Sequence, residues 1–196
     1  MNRTRFLLSF VLVMSSAAGC ATDALDASDP GATKEGVTVQ AVGSPGNPFS
    51  YVSLRDEQLA CFGISVAPNF PSNCRDITDF NDQQMCFGVS SRSQTPCFNI
   101  TDRNLQLACF GISVAPNFPS NCRDITDSDM RNFCFGVASS GAMNNCDFVN
   151  DSNTRALCFA MATHVSSTCS FITTTEDRLF CQAVATRSQS PCFSIQ

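Results

Sequence analysis

The stretch QLACFGISVAPNFPSNCRDITD at residues 58–79 recurs without change at residues 106–127. Chance does not produce identity over that length, so the chain was built by duplication, and the shift of 48 residues marks the size of the copied block. Within the block a cysteine followed by Phe-Gly alternates with a cysteine that leads into Ile-Thr-Asp. The true repeat is therefore about half the block. Extended outward, this pattern divides residues 55–196 into six copies of about 24 residues. The first cysteines are Cys61, Cys86, Cys109, Cys134, Cys158 and Cys181, and the second are Cys74, Cys97, Cys122, Cys146, Cys169 and Cys192.

Spacing separates the stiff part of the repeat from the loose part. From each second cysteine to the next first cysteine the step is always 12, whereas within a repeat it is 13, 11, 13, 12, 11 and 11. A constant step predicts an ordered element and a variable one a loop. Asp79, Asp102, Asp127 and Asp151 stand where a helix N-cap would accept backbone N–H bonds. Cys86 with Val89, and Cys134 with Val137, fall on one helical face. The pattern predicts a helix of about three turns around each first cysteine and a single turn at each second one, with Pro96 and Pro191 placed to start it. Gly63, Gly88, Gly111 and Gly136, replaced by Ala160 and Ala183 in the later copies, lie inside the helix, where glycine destabilises by up to about 1 kcal/mol. Only small residues there imply the close approach of a neighbouring backbone or of a disulfide.

The fold class expected is all-α: short disulfide-stapled helical repeats stacked as a small solenoid. A continuous ladder from Phe62, Phe87, Phe110, Phe135 and Phe159 would join the repeats, and Gln182 in the sixth would be a polar cap. Pairing within repeats (Cys61–Cys74, Cys86–Cys97, Cys109–Cys122, Cys134–Cys146, Cys158–Cys169, Cys181–Cys192) uses all twelve cysteines. Pairing each second cysteine with the next first one strands Cys61 and Cys192 at opposite ends. The first scheme is the one expected, each bridge contributing about 3 kcal/mol on the chain-entropy model.

A thirteenth cysteine, Cys20, stands outside the array. Arg3 and Arg5 precede an apolar run from Phe6 to Met14 and then small residues, the layout of an export signal over residues 1–19. Ala17-Ala18-Gly19-Cys20 resembles the lipobox of bacterial lipoproteins, with Ala17 where that family usually has Leu. The resemblance implies that Cys20 is lipidated and holds the chain on a membrane, and Ala21 after it implies the outer one. The alternative is a signal cut near Ala18 with Cys20 a free thiol. Residues 20–54 then carry the lipidated cysteine and a linker; from Ala21 to about Ser50 Leu25 is the one large apolar residue before Phe49, too little to bury, which predicts a disordered tether. Residues 55–196 look like short Cys-rich helical repeats of exported bacterial proteins, and more distantly like disulfide-bridged Sel1-type repeats. That likeness implies an architecture class and no functional residues.

Chemistry is sparse. His164 is the only histidine, and the serines beside it read as a loop, so no catalytic residue is assigned. No two cysteines are closer than 11 apart, which excludes the knuckles of a zinc site, and the acidic runs lack calcium-loop spacing, so neither metal nor cofactor is expected. Loss of residues 1–19 moves the formal charge from -5 to -7, which disfavours nucleic acid as a partner. The expected function is a non-enzymatic envelope lipoprotein, on the periplasmic face or the cell surface, whose repeats form a protein-interaction or structural module. Alternatives are a hydrolase drawing acidic residues from several repeats, and a secreted, protease-resistant, inhibitor-like module.

Overall fold

The computed structural model describes residues 46–196 except 52, 70, 117, 118 and 140–142; the export signal, Cys20 and the tether to residue 45 lie outside the described residues. Six α-helices alternate with six short 3-10 helices. The α-helices are α1 Leu54–Ser65, α2 Phe80–Ser91, α3 Arg103–Ile112, α4 Ser128–Ala138, α5 Ser152–Thr163 and α6 Thr175–Thr186. The 3-10 helices are η1 Pro71–Asp76, η2 Pro96–Asn99, η3 Pro119–Asp124, η4 Met143–Phe148, η5 Ser166–Phe171 and η6 Ser190–Ser194. No strand occurs among the described residues. The array is all-α and built of disulfide-stapled repeats, as the cysteine spacing predicts.

Local chemistry accounts for the helix ends. Asp79, Asp102, Asp127 and Asp151 each sit in extended backbone and accept the N–H three residues on, at Asp82, Leu105, Met130 and Thr154. Ser53 does the same for α1. Prolines open η2 and η6, where a missing N–H costs nothing.

The disulfides overturn the pairing expected from the sequence. Each 3-10 helix is bonded to the α-helix that follows it: Cys74–Cys86, Cys97–Cys109, Cys122–Cys134, Cys146–Cys158 and Cys169–Cys181. The sixth bridge joins Cys61 to Cys192, 131 residues apart. Pairing across the constant step of 12 strands nothing, because the array closes on itself: every α-helix packs against the next, and α6 packs against α1. The constant step is constant because it spans the covalent loop. A ring has no terminal repeat, so Gln182 caps nothing.

The same contacts that join ordinary neighbours also join the two ends. Gln83 and Gln106 donate to the carbonyls of Ile77 and Ile100, the isoleucines just after the preceding 3-10 helix, and Arg131, Arg155 and Arg178 reach Ile125, Val149 and Ile172 in the same way. Gln58 on α1 donates to the Ile195 carbonyl at 2.8 Å, making η6 its predecessor. Gln189 donates to the Phe62 carbonyl as Gln94 does to that of Phe110. Two of the phenylalanines expected in a ladder pair instead with a 3-10 helix, by the same rule: Phe62 meets Phe193 and Phe110 meets Phe98, both edge-to-face with centroids 4.8 Å apart.

A second set of bonds clamps the helix N-termini. The side chains of Asp56, Asn81, Asn104 and Asn153 each accept both the N–H and the hydroxyl of the threonine one repeat later, Thr78, Thr101, Thr126 and Thr173. Asp129 holds Asn150 and Asp151 at the same place. The Ile-Thr-Asp motif thus combines a buried isoleucine, a clamp to the preceding helix and the cap of its own.

The small residues inside the helices are explained by the sulfurs. A Cβ on Gly111 would stand 2.6 and 2.8 Å from the sulfurs of Cys134 and Cys122. Gly88 and Gly136 face the Cys97–Cys109 and Cys146–Cys158 bridges equally closely. Each helix lets the next module's disulfide lie directly on its backbone. All twelve paired cysteines are fully buried, so the sulfur is part of the core as well as its staple.

Candidate functional site

The two ends of the ring differ in chemistry. At the end formed by the helix N-termini, the described chain enters with Gly46 against Asp129 and Asp127, and places Phe49 and Tyr51 in the middle. Phe49 meets Phe133 edge-on with centroids 6.0 Å apart and Phe180 at a tilt at 5.8 Å, from helices that are not neighbours, so it fills the axis. Tyr51 lies 6.0 Å from Phe180 and is fully buried. Phe49 and Tyr51, which composition places in the linker, belong to the packed unit.

Beneath this plug lie acids from three successive repeats. Glu57, Asp82 and Asp177 hold equivalent positions on α1, α2 and α6, where the other helices have Leu105, Met130 and Thr154. Glu57 is only 2 % exposed. Its burial, then the charges of Asp177 and Glu176 and a hydrogen bond to the Asp177 carboxyl, raise its pKa to about 8. Burial and the Asp79 and Asp56 charges raise Asp82 to about 7. Asp177 is also raised, chiefly by burial. Tyr51 is pushed up by burial and by the Asp82, Glu57 and Asp56 charges, and its hydroxyl has no hydrogen-bond partner. Glu57 is thus held protonated at neutral pH beside Asp177. Asp82 also lines a shallow depression of about 270 Å³ beside Asn47 and Pro48, with Asp79 and Asp102. The latter two carboxylates are already engaged as helix caps.

At the opposite end the last turns of all six α-helices surround a cavity of about 410 Å³. Its floor is Ile64, Val89, Ile112, Val137, Met161 and Val184, one residue from each helix. Its rim carries Arg92, His164 and Arg187. These three cap α2, α5 and α6 with φ of 51°, 59° and 54°, in the left-handed region. They fall in the three repeats whose cysteines are 11 apart. In the repeats with a step of 13, Ala67, Ala115 and Pro116 border the cavity instead. An Arg187 guanidinium nitrogen sits 3.0 Å from His164 Nε2. Burial, then the Arg187 and Arg92 charges, lower the pKa of His164.

Sequence reasoning placed His164 in a polar loop; the structure makes it a helix cap and brings it to Arg187, 23 residues on. Arg92 and Arg187 carry no assignment from the sequence. The signal was available in the matched segments at 92–100 and 187–195, which both open with arginine directly after a helix. The acidic run Asp124–Asp129 serves capping and clamping, through Asp127 and Asp129. Among the described residues no three His, Cys, Asp or Glu side chains are grouped to hold a metal ion, and no helix is long and apolar enough to cross a membrane. No family model matches the chain, and no curated protein or solved structure is significantly similar to it.

Proposed function

We propose that the chain is an exported, lipid-anchored, non-enzymatic envelope protein whose ring acts as a protein-interaction or structural module. Six disulfides indicate an oxidising compartment, and the Ala17–Cys20 stretch supplies the anchor, placed by its resemblance on the outer membrane. The observation that carries an interaction role is on the 3-10 helices: Phe98, Phe148, Phe171 and Phe193 are each exposed by two-thirds or more. Burying one such ring is worth about 1.5–3 kcal/mol, and Phe148, Phe171 and Phe193 lie on the consecutive elements η4, η5 and η6, where one partner could cover them together.

A photo-crosslinking residue at position 171 in the native envelope tests this. Crosslinking to a defined envelope protein, lost when Phe98, Phe148 and Phe193 are changed to Ser, is the expected result. Labelling with solvent and lipid alone sinks the reading. The anchor is tested apart from it: the intact mass of the mature chain carries acyl groups, and Cys20→Ala moves the protein to the soluble fraction.

A hydrolase reading has one observation in its favour, Asp82 with its pKa near 7 at the edge of an open depression. Any hydrolytic activity of the purified chain that Asp82→Asn abolishes would replace the binding role.

A further inference from the structure

We infer that the cavity at the C-terminal ends of the helices is a binding site for a single-chain aliphatic carboxylate, with its tail on the six-residue floor and its anionic head between Arg92, His164 and Arg187. A volume of about 410 Å³ lies within the roughly 300–1,000 Å³ of ligand pockets. The lining is sorted as such a molecule requires: one apolar side chain from every helix below, and cations at the rim.

Charge selects the head group. The chain has 17 acidic residues against 12 basic ones, yet among the described residues none that is acidic lines this cavity. Among the described residues no carboxylate stands between these side chains, and Arg187 makes its contact with the His164 ring instead. An anion at the rim would supply the missing partner, and guanidinium binds carboxylate through paired N–H bonds.

Backbone conformation points the same way. A left-handed helix cap favours glycine, then asparagine and histidine, but two of the three here are arginine. The helix dipole favours a cation at a C-terminus, which explains a basic residue somewhere in the last turn. It does not explain placing arginine at the single position where a long side chain is disfavoured, twice around one mouth. Strain kept at a cavity rim marks a site. The site is independent of the exposed phenylalanines and stands or falls separately from the interaction role.

Calorimetric titration of the oxidised full chain with octanoate, decanoate, decanol and acetate tests the assignment. Decanoate is expected to bind at one site, tighter than octanoate by about fourfold per methylene, while acetate and decanol bind at least tenfold more weakly. Arg92→Gln with Arg187→Gln should weaken decanoate by about tenfold or more and leave decanol unchanged. In the wild type, decanoate should also raise the titration midpoint of the His164 ring followed by NMR. Equal affinity for decanoate and decanol, or no saturation by any of the four, overturns the proposal. So does preference for a short two-chain anionic phospholipid over decanoate, which would assign the site to a lipid head group. The chain-length and head-group series uses only the wild type and decides the matter even if the double variant fails to fold.

Discussion

Five junctions of the ring join segments that follow one another in sequence, and the sixth joins the first helix to the last 3-10 helix. In the structure they are the same junction. The Cα atoms of Cys61 and Cys192 are 5.7 Å apart, and those of the five local pairs 5.6 or 5.7 Å. Gln58, Gln189 and Phe193 repeat at the seam the contacts of their counterparts. The geometry is set by the repeat, and only the connectivity differs. Any difference in energy between the two kinds of junction therefore originates in the unfolded chain, where closing a loop of 131 residues removes more freedom than closing one of 12.

The largest effect expected is at the seam. On the chain-entropy model the Cys61–Cys192 bridge contributes about 5 kcal/mol and a local bridge about 3. Denaturant unfolding of Cys61→Ala with Cys192→Ala, beside Cys97→Ala with Cys109→Ala, measures the gap; equal losses would mean that the unfolded chain is already held near a ring. Non-reducing tryptic mapping of the wild type sharpens the comparison. Cleavage after arginine leaves Cys61 and Cys74 in one peptide, residues 56–75. Closure ties that peptide to residues 76–92 and 188–196, whereas pairing within repeats leaves it attached to nothing.

A second effect concerns the seam's electrostatics, since Glu57 and Asp177 face each other across α1 and α6. Glu57 rises from 4.5 to about 8 on folding, so the folded chain holds this proton more tightly than the unfolded one. The stability linked to it is complete below pH 4.5 and is lost as pH rises through about 8. Asp82, raised to about 7, and Asp177 add in the same sense. The unfolding free energy should fall from pH 5 to pH 9, at a slope approaching about 1.4 kcal/mol per unit for each group in its range. Glu57→Gln should flatten the upper part of the curve. His164, lowered on folding, works the other way below its ordinary pKa. An unfolding midpoint that climbs with pH over this range would remove the protonated pair.

The helices, their caps and the sulfur-packed glycines were legible in the sequence because each is local: Asp102 finds its N–H three residues on, and a constant step reports a stiff element. Closure was not. Cysteine spacing around Cys61 and Cys192 does not distinguish a partner 131 residues away from one 13 or 11 away. Pairing within repeats follows only if the array has two free ends. A clue lay in the helix residue three before each first cysteine: Gln58 matches Gln83 and Gln106, although a first repeat in an open array has no preceding 3-10 helix to bind. The cationic rim was legible only in part: the matched segments at 92–100 and 187–195 mark Arg92 and Arg187, but these and His164 meet only once the six helix ends converge.

Gly111 offers a third comparison, between a glycine repeat and an alanine one. Gly111→Ala places a methyl group 2.6 Å from the Cys134 sulfur, and the next module must shift to admit it. Overpacking of this kind costs about 1–3 kcal/mol, which exceeds alanine's helix-propensity gain of about 1 kcal/mol. Ala160 already occupies the equivalent place, so Ala160→Gly should lose about 1 kcal/mol and relieve no clash. Thermal unfolding of the two variants checks the signs; a stabilised Gly111→Ala would mean that the bridge moves freely.

The smallest effect discriminates most sharply between a true ring and an open array stitched at its ends. Gln58 donates to the carbonyls of Ile195 and Cys192 at 2.8 and 3.1 Å, and Gln106 to that of Ile100 at 3.1 Å. Each is a helix side chain reaching back to the preceding 3-10 helix, and each is worth about 1 kcal/mol. If the junctions are equivalent, Gln58→Ala and Gln106→Ala lose similar amounts, within about 0.5 kcal/mol. If the disulfide alone holds the seam, Gln58→Ala loses nothing. Repeating both substitutions without the Cys61–Cys192 bridge separates the two cases further. Non-covalent closure keeps the Gln58 loss after the bridge is removed, while a seam that opens with its bridge abolishes that loss and leaves that of Gln106 in place.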